Sequence, residues 1–240
     1  MHVPYSLWAA VVTGNLAIAG VVIASALRAG SRLVAWTVAV WIALAAGLGG
    51  LGVFKAAGDA RFPFIALAIV VPIGIGAWFG RRLGEPGDPL AATPVSWLIG
   101  VQVYRVLGAV FLIAWALDLM PWQFALPAGI GDVLVGLTAP LVAHWVATDP
   151  ERARPVAVGW IVAGLADLVI AVGTGFLTSP SAYQQLALGN PNALISRLPF
   201  VLIPTFAVPL SVLLHLGALR RLREDPLAAG QAPAVSAIRR

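Results

Sequence analysis

Long apolar runs recur along the whole chain, and each is bounded by charged residues, prolines or glycines. Each run is about 19 to 26 residues long, and a helix that rises about 1.5 Å per residue then crosses a hydrocarbon layer of ~30 Å. A helix also satisfies its own backbone hydrogen bonds inside lipid. The pattern predicts an all-α, polytopic integral membrane bundle of about seven transmembrane helices, with spans at Tyr5–Leu27, Leu33–Phe54, Phe62–Gly80, Val95–Leu117, Gln123–Ala147, Pro155–Leu177 and Leu194–Leu219.

The composition supports a single membrane domain. Sixty per cent of the residues are hydrophobic and 10% are charged, whereas soluble domains carry about 25% charged residues. We expect one domain over residues 1–223 and a disordered cytoplasmic tail over residues 224–240, which is rich in Ala and Pro. No positive charge precedes the first apolar run. Since a cleaved signal peptide begins with such a charge, we expect this run to be a retained helix.

Basic residues are divided unequally between the two ends of the predicted spans. One set falls in the connections after spans one, three and five and in the C-terminal tail: Arg28, Arg32, Arg81, Arg82, Arg152, Arg154, Arg220, Arg221, Arg223, Arg239 and Arg240. The opposite side holds Lys55 and Arg61. Loops rich in Arg and Lys stay in the cytoplasm. The asymmetry predicts an N-terminus outside and a cytoplasmic C-terminus, and we expect a multi-pass protein of the bacterial cytoplasmic membrane with the lipid bilayer as its partner.

Three ionisable residues and an amide fall near the middle of the predicted membrane. Counted from the cytoplasmic end of its span, Arg105 lies about 15 Å deep, Asp132 about 22 Å and Asp167 about 18 Å. Asn15 lies at a similar level. Arginine keeps its proton under essentially all conditions, and a charge inside the membrane is costly unless it is paired or hydrated. The sequence therefore predicts that Arg105 faces the two aspartates inside the bundle.

The predicted cluster has one positive charge, on Arg105, and two carboxylates, so one negative charge is left without a partner. One aspartate holds a proton, or a cation joins the site, and such groups in transmembrane helices often form proton relays. Gln102 and Tyr104 are close to Arg105 in sequence, and we expect them to complete the hydrogen bonds of its guanidinium. The alternative is a buried polar clamp that fixes the register of the helices.

Two aspartates occur in similar strings, Gly129-Ile-Gly-Asp-Val-Leu-Val-Gly and Gly164-Leu-Ala-Asp-Leu-Val-Ile-Ala. In both, a glycine precedes the aspartate by three residues and leaves space on its face. The pair Gly14-Asn15 in span one also corresponds to Gly131-Asp132 in span five. This repetition resembles the parallel three-plus-one-plus-three arrangement of small sugar transporters of the SWEET type. The chain departs from the related PQ-loop proteins because it lacks their Pro-Gln pair.

Two histidines suggest a different chemistry. His144 and His215 fall near the cytoplasmic ends of spans five and seven, each about 5 Å inside the boundary. Two histidines at equal depth on different helices would suit the axial positions of a haem iron. The alternative is that each is a polar tip at the membrane interface. The sequence names no other cofactor.

Several function classes are excluded by what the chain lacks. It contains no cysteine, so disulfides and thiolate metal sites are excluded. No basic stretch is interleaved with aromatic residues in a polar segment, which argues against nucleic-acid binding. It has no GxSxG, HExxH or Walker motif. An enzyme is disfavoured, although paired aspartates would suit an aspartyl-type hydrolase.

Three hypotheses follow from these patterns. In the first, the protein binds or transports a small solute or protons through the polar site of Arg105, Asp132, Asp167, Gln102, Tyr104 and Asn15. In the second, it is a non-catalytic subunit or scaffold, with a protein partner or a homo-oligomer, and the same residues form a clamp. In the third, it is a bis-histidine haem protein.

Overall fold

The computed structural model describes residues 3–55, 64–82 and 93–224, and within these ranges the chain forms helices and no strands. The first three helices are α1 at Tyr5–Arg28, α2 at Arg32–Gly50 and α3 at Phe64–Arg82. The next three are α4 at Val95–Ala116, α5 at Trp122–Thr148 and α6 at Pro150–Thr178. The last, α7, consists of a π-helical turn at Ile203–Ala207 followed by an α-helix at Val208–Glu224.

Six of these helices are long and apolar enough to cross a membrane, namely α1, α2, α4, α5, α6 and α7. The apolar part of α3, Phe64–Phe79, is shorter. Large apolar side chains are exposed on the outside of the bundle, among them Leu33, Val70 and Val169. Such a surface requires lipid around it, because water-facing proteins rarely expose large contiguous apolar patches. The chain is therefore a helical membrane protein, as the sequence predicts.

Helix α4 changes its winding where it carries the predicted polar residues. It is α-helical at Val95–Gly100, a 3₁₀ helix at Val101–Gly108 and α-helical again at Ala109–Ala116. A 3₁₀ helix has three residues per turn, so side chains three positions apart point in the same direction. Gln102, Arg105 and Gly108 are the buried residues of this segment. The local winding thus places them in one line on the face that meets the other helices.

The predicted start of the last span at Leu194 is wrong. Leu194–Ser196 is a single 3₁₀ turn, and the backbone is extended at Arg197. The residue before a proline disfavours the α conformation, and Pro199 also lacks the N–H that a continuing helix would use. The segment is apolar because it packs in the core, where Leu194 and Phe200 are buried.

Other predicted boundaries shift as well. Helix α2 ends at Gly50, before the predicted Phe54. Helix α6 begins at Pro150, five residues before the predicted Pro155, because the Asp149 carboxylate accepts a hydrogen bond from the Arg152 N–H and a proline suits the first turn of a helix. The predicted start at Phe62 and the tail after residue 224 lie outside the described residues.

The core has two apolar layers with a polar layer between them. The layers are stacked along the helix axes. One contains Ile18 of α1, Ile99 of α4 and Val142 of α5. The other contains Val11, Val110 and Ala128 of the same three helices. Between these positions lie the buried or largely buried polar side chains of the helices: Asn15, Arg105 and Asp132. The polar residues therefore meet at mid-height of the bundle.

Candidate functional site

Arg105 is the centre of a polar cluster that joins four helices. Its Nε donates a hydrogen bond to Asp132 Oδ1 of α5 at 2.7 Å, and its Nη2 pairs with Asp167 Oδ2 of α6. Its Nη1 lies 3.3 Å from the backbone oxygen of Gly164 in α6 and 3.2 Å from Nε2 of His215 in α7. The predicted contact of Arg105 with both aspartates is confirmed.

The guanidinium suits this position because its three nitrogens point in fixed, different directions. Each nitrogen of Arg105 has a partner, and the partners belong to three other helices. The Arg105 side chain is 2% exposed, while the side chains of Asp132 and Asp167 are 14% and 12% exposed. The carboxylates are thus the members of this trio that keep some contact with the surroundings.

His215 belongs to this cluster, which the sequence analysis missed. Since α7 continues to Glu224 rather than ending at Leu219, His215 lies about 14 Å from the end of its helix and not near the interface. Arginine has hydrogen-bond donors only, so Nε2 must accept from Arg105 Nη1 and carries no proton. The ring is then neutral with its hydrogen on Nδ1. This Nδ1 is buried and has no partner among the described residues.

Glycines make room for the charged side chains. A Cβ on Gly131 of α5 would lie 1.7 Å from Asp167 Oδ1, and one on Gly108 of α4 would lie 2.3 Å from the Asp132 Cβ. A Cβ on Gly164 would lie 2.7 Å from the His215 ring. Gly164 therefore leaves space for the His215 ring, and Gly129 faces Leu112, so neither glycine makes room for the aspartate that follows it by three residues as the sequence analysis expected.

Gln102 and Tyr104 do not complete the hydrogen bonds of Arg105, so this prediction is wrong. Gln102 Nε2 donates to the Ser211 backbone oxygen at 3.1 Å, and Ser211 Oγ donates to Gln102 Oε1 at 2.9 Å. The Tyr104 hydroxyl donates to the Ala207 oxygen at 2.8 Å and lies 2.6 Å from Ser211 Oγ. Both side chains thus attach α4 to α7 beside the arginine.

The hydroxyls of Tyr104 and Ser211 form a chain with fewer protons than contacts. Each hydroxyl has one proton, yet the two groups make three oxygen–oxygen contacts, with Ala207, with each other and with Gln102. When the tyrosine donates to the serine, its contact with the Ala207 oxygen has no hydrogen, and when the serine donates to the tyrosine, its contact with Gln102 has none. Rotation of the two hydroxyl hydrogens exchanges these arrangements without moving a heavy atom.

Asn15 lies next to a small cavity in this region. Its Nδ2 donates to the Val11 oxygen at 2.8 Å, while its Oδ1 is buried and has no partner among the described residues. The cavity has a volume of about 30 Å³, and its walls include Asn15, Tyr104, Arg105, Asp132 and Ser211. A polar cavity of this size has room for about one water molecule or a group of similar size.

The two histidines do not form a matched pair. His144 is exposed at the surface of α5, whereas His215 is 1% exposed and its Nε2 faces Arg105. An axial haem ligand needs a free ring nitrogen directed at the iron, and the pairing with Arg105 occupies this nitrogen. Among the described residues, no group of three or more His, Cys, Asp and Glu side chains is placed to hold a metal ion. The geometry does not fit the haem hypothesis.

Comparison with known proteins places the chain in one sequence family. Residues 63–223, more than half of the chain, match the family DUF8737, which is described as a domain of unknown function. No curated protein and no solved structure matches the chain. All members of the Arg105 cluster except Asn15 lie within the matched residues.

Proposed function

The chain belongs to the DUF8737 family of unknown function, and we propose that it is a multi-pass membrane protein that takes up and releases protons at the Arg105 cluster. Arg105 fixes the position of the two carboxylates, Asp132 accepts a hydrogen bond from its Nε, and Asp167 is the group that gains and loses the proton. Transport of protons, or of a solute coupled to them, would proceed through this exchange.

The charge balance of the cluster carries the proposal. Arg105 contributes one positive charge, Asp132 and Asp167 contribute two negative charges when ionised, and His215 is neutral by its hydrogen bonding. An uncompensated charge in a low-dielectric interior is unfavourable. A proton on one of the two carboxylates removes the excess charge, and loss of this proton restores it. A cluster that is balanced only when protonated is suited to exchange protons.

The topology that we propose has seven spanning helices, with the N-terminus outside and the C-terminus in the bacterial cytoplasm, in one domain over residues 1–223. Helix α3 has 19 residues and thus a length of about 28 Å. A Cβ on Gly76 would lie 2.6 Å from Leu213 of α7, so α3 packs closely on the bundle. This close packing supports α3 as the seventh span.

Proton uptake into proteoliposomes tests the proposal. The purified protein is reconstituted with a pH-sensitive dye inside, and the external pH is lowered in one step. We expect the wild type to acidify the interior faster than Asp167→Asn. Asp149→Asn is the matched control, because it makes the same chemical change outside the cluster and an asparagine also caps a helix. Equal rates in the wild type and in Asp167→Asn would refute proton movement through Asp167.

A structural clamp is the second candidate, and the connection of Arg105 to three other helices favours it. A clamp positions the helices for a protein partner or a second copy of the chain and needs no change in protonation. In this case both aspartates stay ionised over the accessible pH range. Asp167→Asn would then alter stability while the proton flux of the wild type stays at the level of empty liposomes.

A further inference from the structure

A large groove runs beside the polar cavity. It has a volume of about 780 Å³ and lies between α1 on one wall and α4 with the end of α5 on the other. Its walls are mainly apolar and include Ile18, Val21, Trp97, Val101 and Val103. Val21 and Val103 are also exposed on the lipid-facing surface. The groove is therefore accessible to the apolar part of a molecule dissolved in the membrane.

Among the residues that the structure describes, two side chains are shared by the groove and the cavity. Leu107 and Tyr104 line both, so they form the wall between the two spaces. Leu107 lies directly over Gly14 of α1, where a Cβ would be 2.0 Å from Leu107 Cδ1. The Leu107 side chain therefore fills the space that Gly14 leaves. Movement of Leu107 out of this space would connect the groove to the cavity.

The cavity is rich in hydrogen-bond acceptors that have capacity left. Asn15 is 2% exposed, and its buried Oδ1 has no partner among the described residues. Asp132 uses Oδ1 for Arg105, and Tyr104 and Ser211 also line the space. A group that enters must donate hydrogen bonds. Because the cluster also carries an excess negative charge when both aspartates are ionised, a cationic donor is favoured.

We propose that the groove admits an alkylammonium from the membrane, with its apolar chain in the groove and its primary ammonium group in the cavity between Asn15 and Asp132. This inference rests on the proposed function and names a substrate class for the same site. The ammonium replaces the proton as the charge that balances the two carboxylates. Binding of the amine and of the proton would therefore be mutually exclusive.

The size of the cavity selects the head group. A volume of about 30 Å³ accepts a group the size of one water molecule. A primary ammonium has this size and donates three hydrogen bonds. A trimethylammonium head is larger and donates none, and a hydroxyl head donates one hydrogen bond without a charge. The three heads on the same alkyl chain thus separate the effects of charge, size and hydrogen bonding.

Quenching of Trp97 by brominated probes measures the occupancy of the groove. The protein in lipid nanodiscs is titrated with 11-bromoundecylammonium, with its trimethylammonium analogue and with 11-bromoundecanol. The signal of Trp97 is the difference between the wild type and Trp97→Phe. We expect the primary ammonium to bind at least about tenfold more tightly than the other two, as a charge-assisted hydrogen bond allows. Equal affinities for the three probes would overturn the inference.

Two variants locate the binding. Val103→Phe fills part of the groove without adding a second indole and should abolish the quenching of Trp97, whereas Val70→Phe makes the same change on the exposed face of α3 and should leave it unchanged. Unchanged quenching in Val103→Phe would overturn the inference. Proton uptake by the wild type without amine separates the two proposals. If the wild type takes up protons but binds the three probes equally, only the alkylammonium proposal is refuted. If the wild type takes up no protons, the proposed function is refuted.

Discussion

At the scale of the residue, the cluster places one permanent positive charge against two carboxylates. Removal of one partner from a buried ion pair is usually costly because the other charge is left alone. Here Arg105 has two anionic partners, Asp132 and Asp167. Loss of either carboxylate leaves a balanced pair, and only the loss of both leaves the guanidinium uncompensated. The effects of the two substitutions on stability are therefore coupled.

We predict that Asp132→Asn and Asp167→Asn each lower the free energy of unfolding by no more than about 1 kcal/mol, because the amide still accepts a hydrogen bond. The double variant should lose about 3–5 kcal/mol, the cost of an unpaired buried charge. Unfolding of the four proteins in mild detergent gives the coupling energy. Strictly additive losses would mean that the two aspartates do not share the arginine.

A second prediction concerns the space beside Gly131 that the Asp167 carboxylate occupies. Gly131→Ala places a methyl group 1.7 Å from the present position of Asp167 Oδ1, so the carboxylate must leave Arg105. We expect a loss of proton uptake similar to that of Asp167→Asn in the liposome assay. Gly173→Ala is the control, because a Cβ at this position on α6 meets no atom within 4 Å. If Gly131→Ala retains full uptake, the position of Asp167 does not matter for function.

The pairing of Arg105 with the aspartates follows from the sequence because a charge at mid-membrane needs a partner and helix depth can be counted along the chain. The role of His215 does not follow, since its depth was counted from a helix end that is five residues too early. The bonds of Gln102 also could not be predicted. They depend on the position of Ser211 on α7, and a single sequence does not show which helices are neighbours.

At the scale of the element, irregular winding in α4 and α7 supplies the polar contacts. The 3₁₀ segment of α4 aligns Gln102 with Arg105, and the π-helical turn of α7 lies where Tyr104 and Trp41 bond to its carbonyls. Pro209 has no N–H for the Thr205 oxygen four residues earlier. This oxygen instead accepts a hydrogen bond from Trp41 Nε1 at 3.0 Å. The side chains thus satisfy backbone groups that the irregular helices leave open.

The close approach of α4 and α5 gives a third prediction. A Cβ on Gly136 would lie 2.5 Å from the Val106 backbone nitrogen, and a backbone atom cannot rotate away. We expect Gly136→Ala to separate the two helices and to lower the midpoint of thermal unfolding in detergent. Gly159→Ala, where no atom lies within 4 Å, should leave the midpoint unchanged or raise it, since alanine favours helices by roughly 1 kcal/mol. Similar midpoints for both variants would contradict this packing.

Helix existence could be predicted from the lengths of the apolar runs, while the winding within the helices could not. A run such as Val95–Leu117 looks uniform in the sequence, but its middle part is a 3₁₀ helix. The start of α7 was predicted too early because the apolar residues Leu194 and Phe200 are buried without being part of the spanning helix. A run of apolar residues is found both in a spanning helix and in a non-helical segment that packs in the core, so the sequence pattern does not distinguish the two.

At the scale of the whole molecule, two apolar layers enclose a polar one in which the charges of four helices meet. The proposed direction of each span rests on the arginines, because a positively charged loop resists transfer across the membrane. The proposed topology can be tested by labelling the loops from each side of the membrane.

The absence of cysteine from the chain makes the fourth prediction practical. Single cysteines at Lys55, Thr93, Glu151 and Ser181 are treated with an impermeant thiol reagent in intact cells and in inverted vesicles. We expect Lys55→Cys and Ser181→Cys to react from outside and Thr93→Cys and Glu151→Cys from inside. If Lys55→Cys and Thr93→Cys react from the same side, α3 does not cross the membrane and the number of spans is six.

The most direct measurement is the infrared difference spectrum of the protein in lipid between low and high pH. The carbonyl stretch of a protonated carboxylic acid is distinct from the bands of a carboxylate. Exposed carboxyl groups contribute to this band in every variant, so the signal of the cluster is the part that the wild type and Asp149→Asn share and Asp167→Asn lacks. We predict that this part is present at low pH and disappears as the pH rises. Identical difference spectra for the wild type and Asp167→Asn would contradict the proton-binding function of the Arg105 cluster.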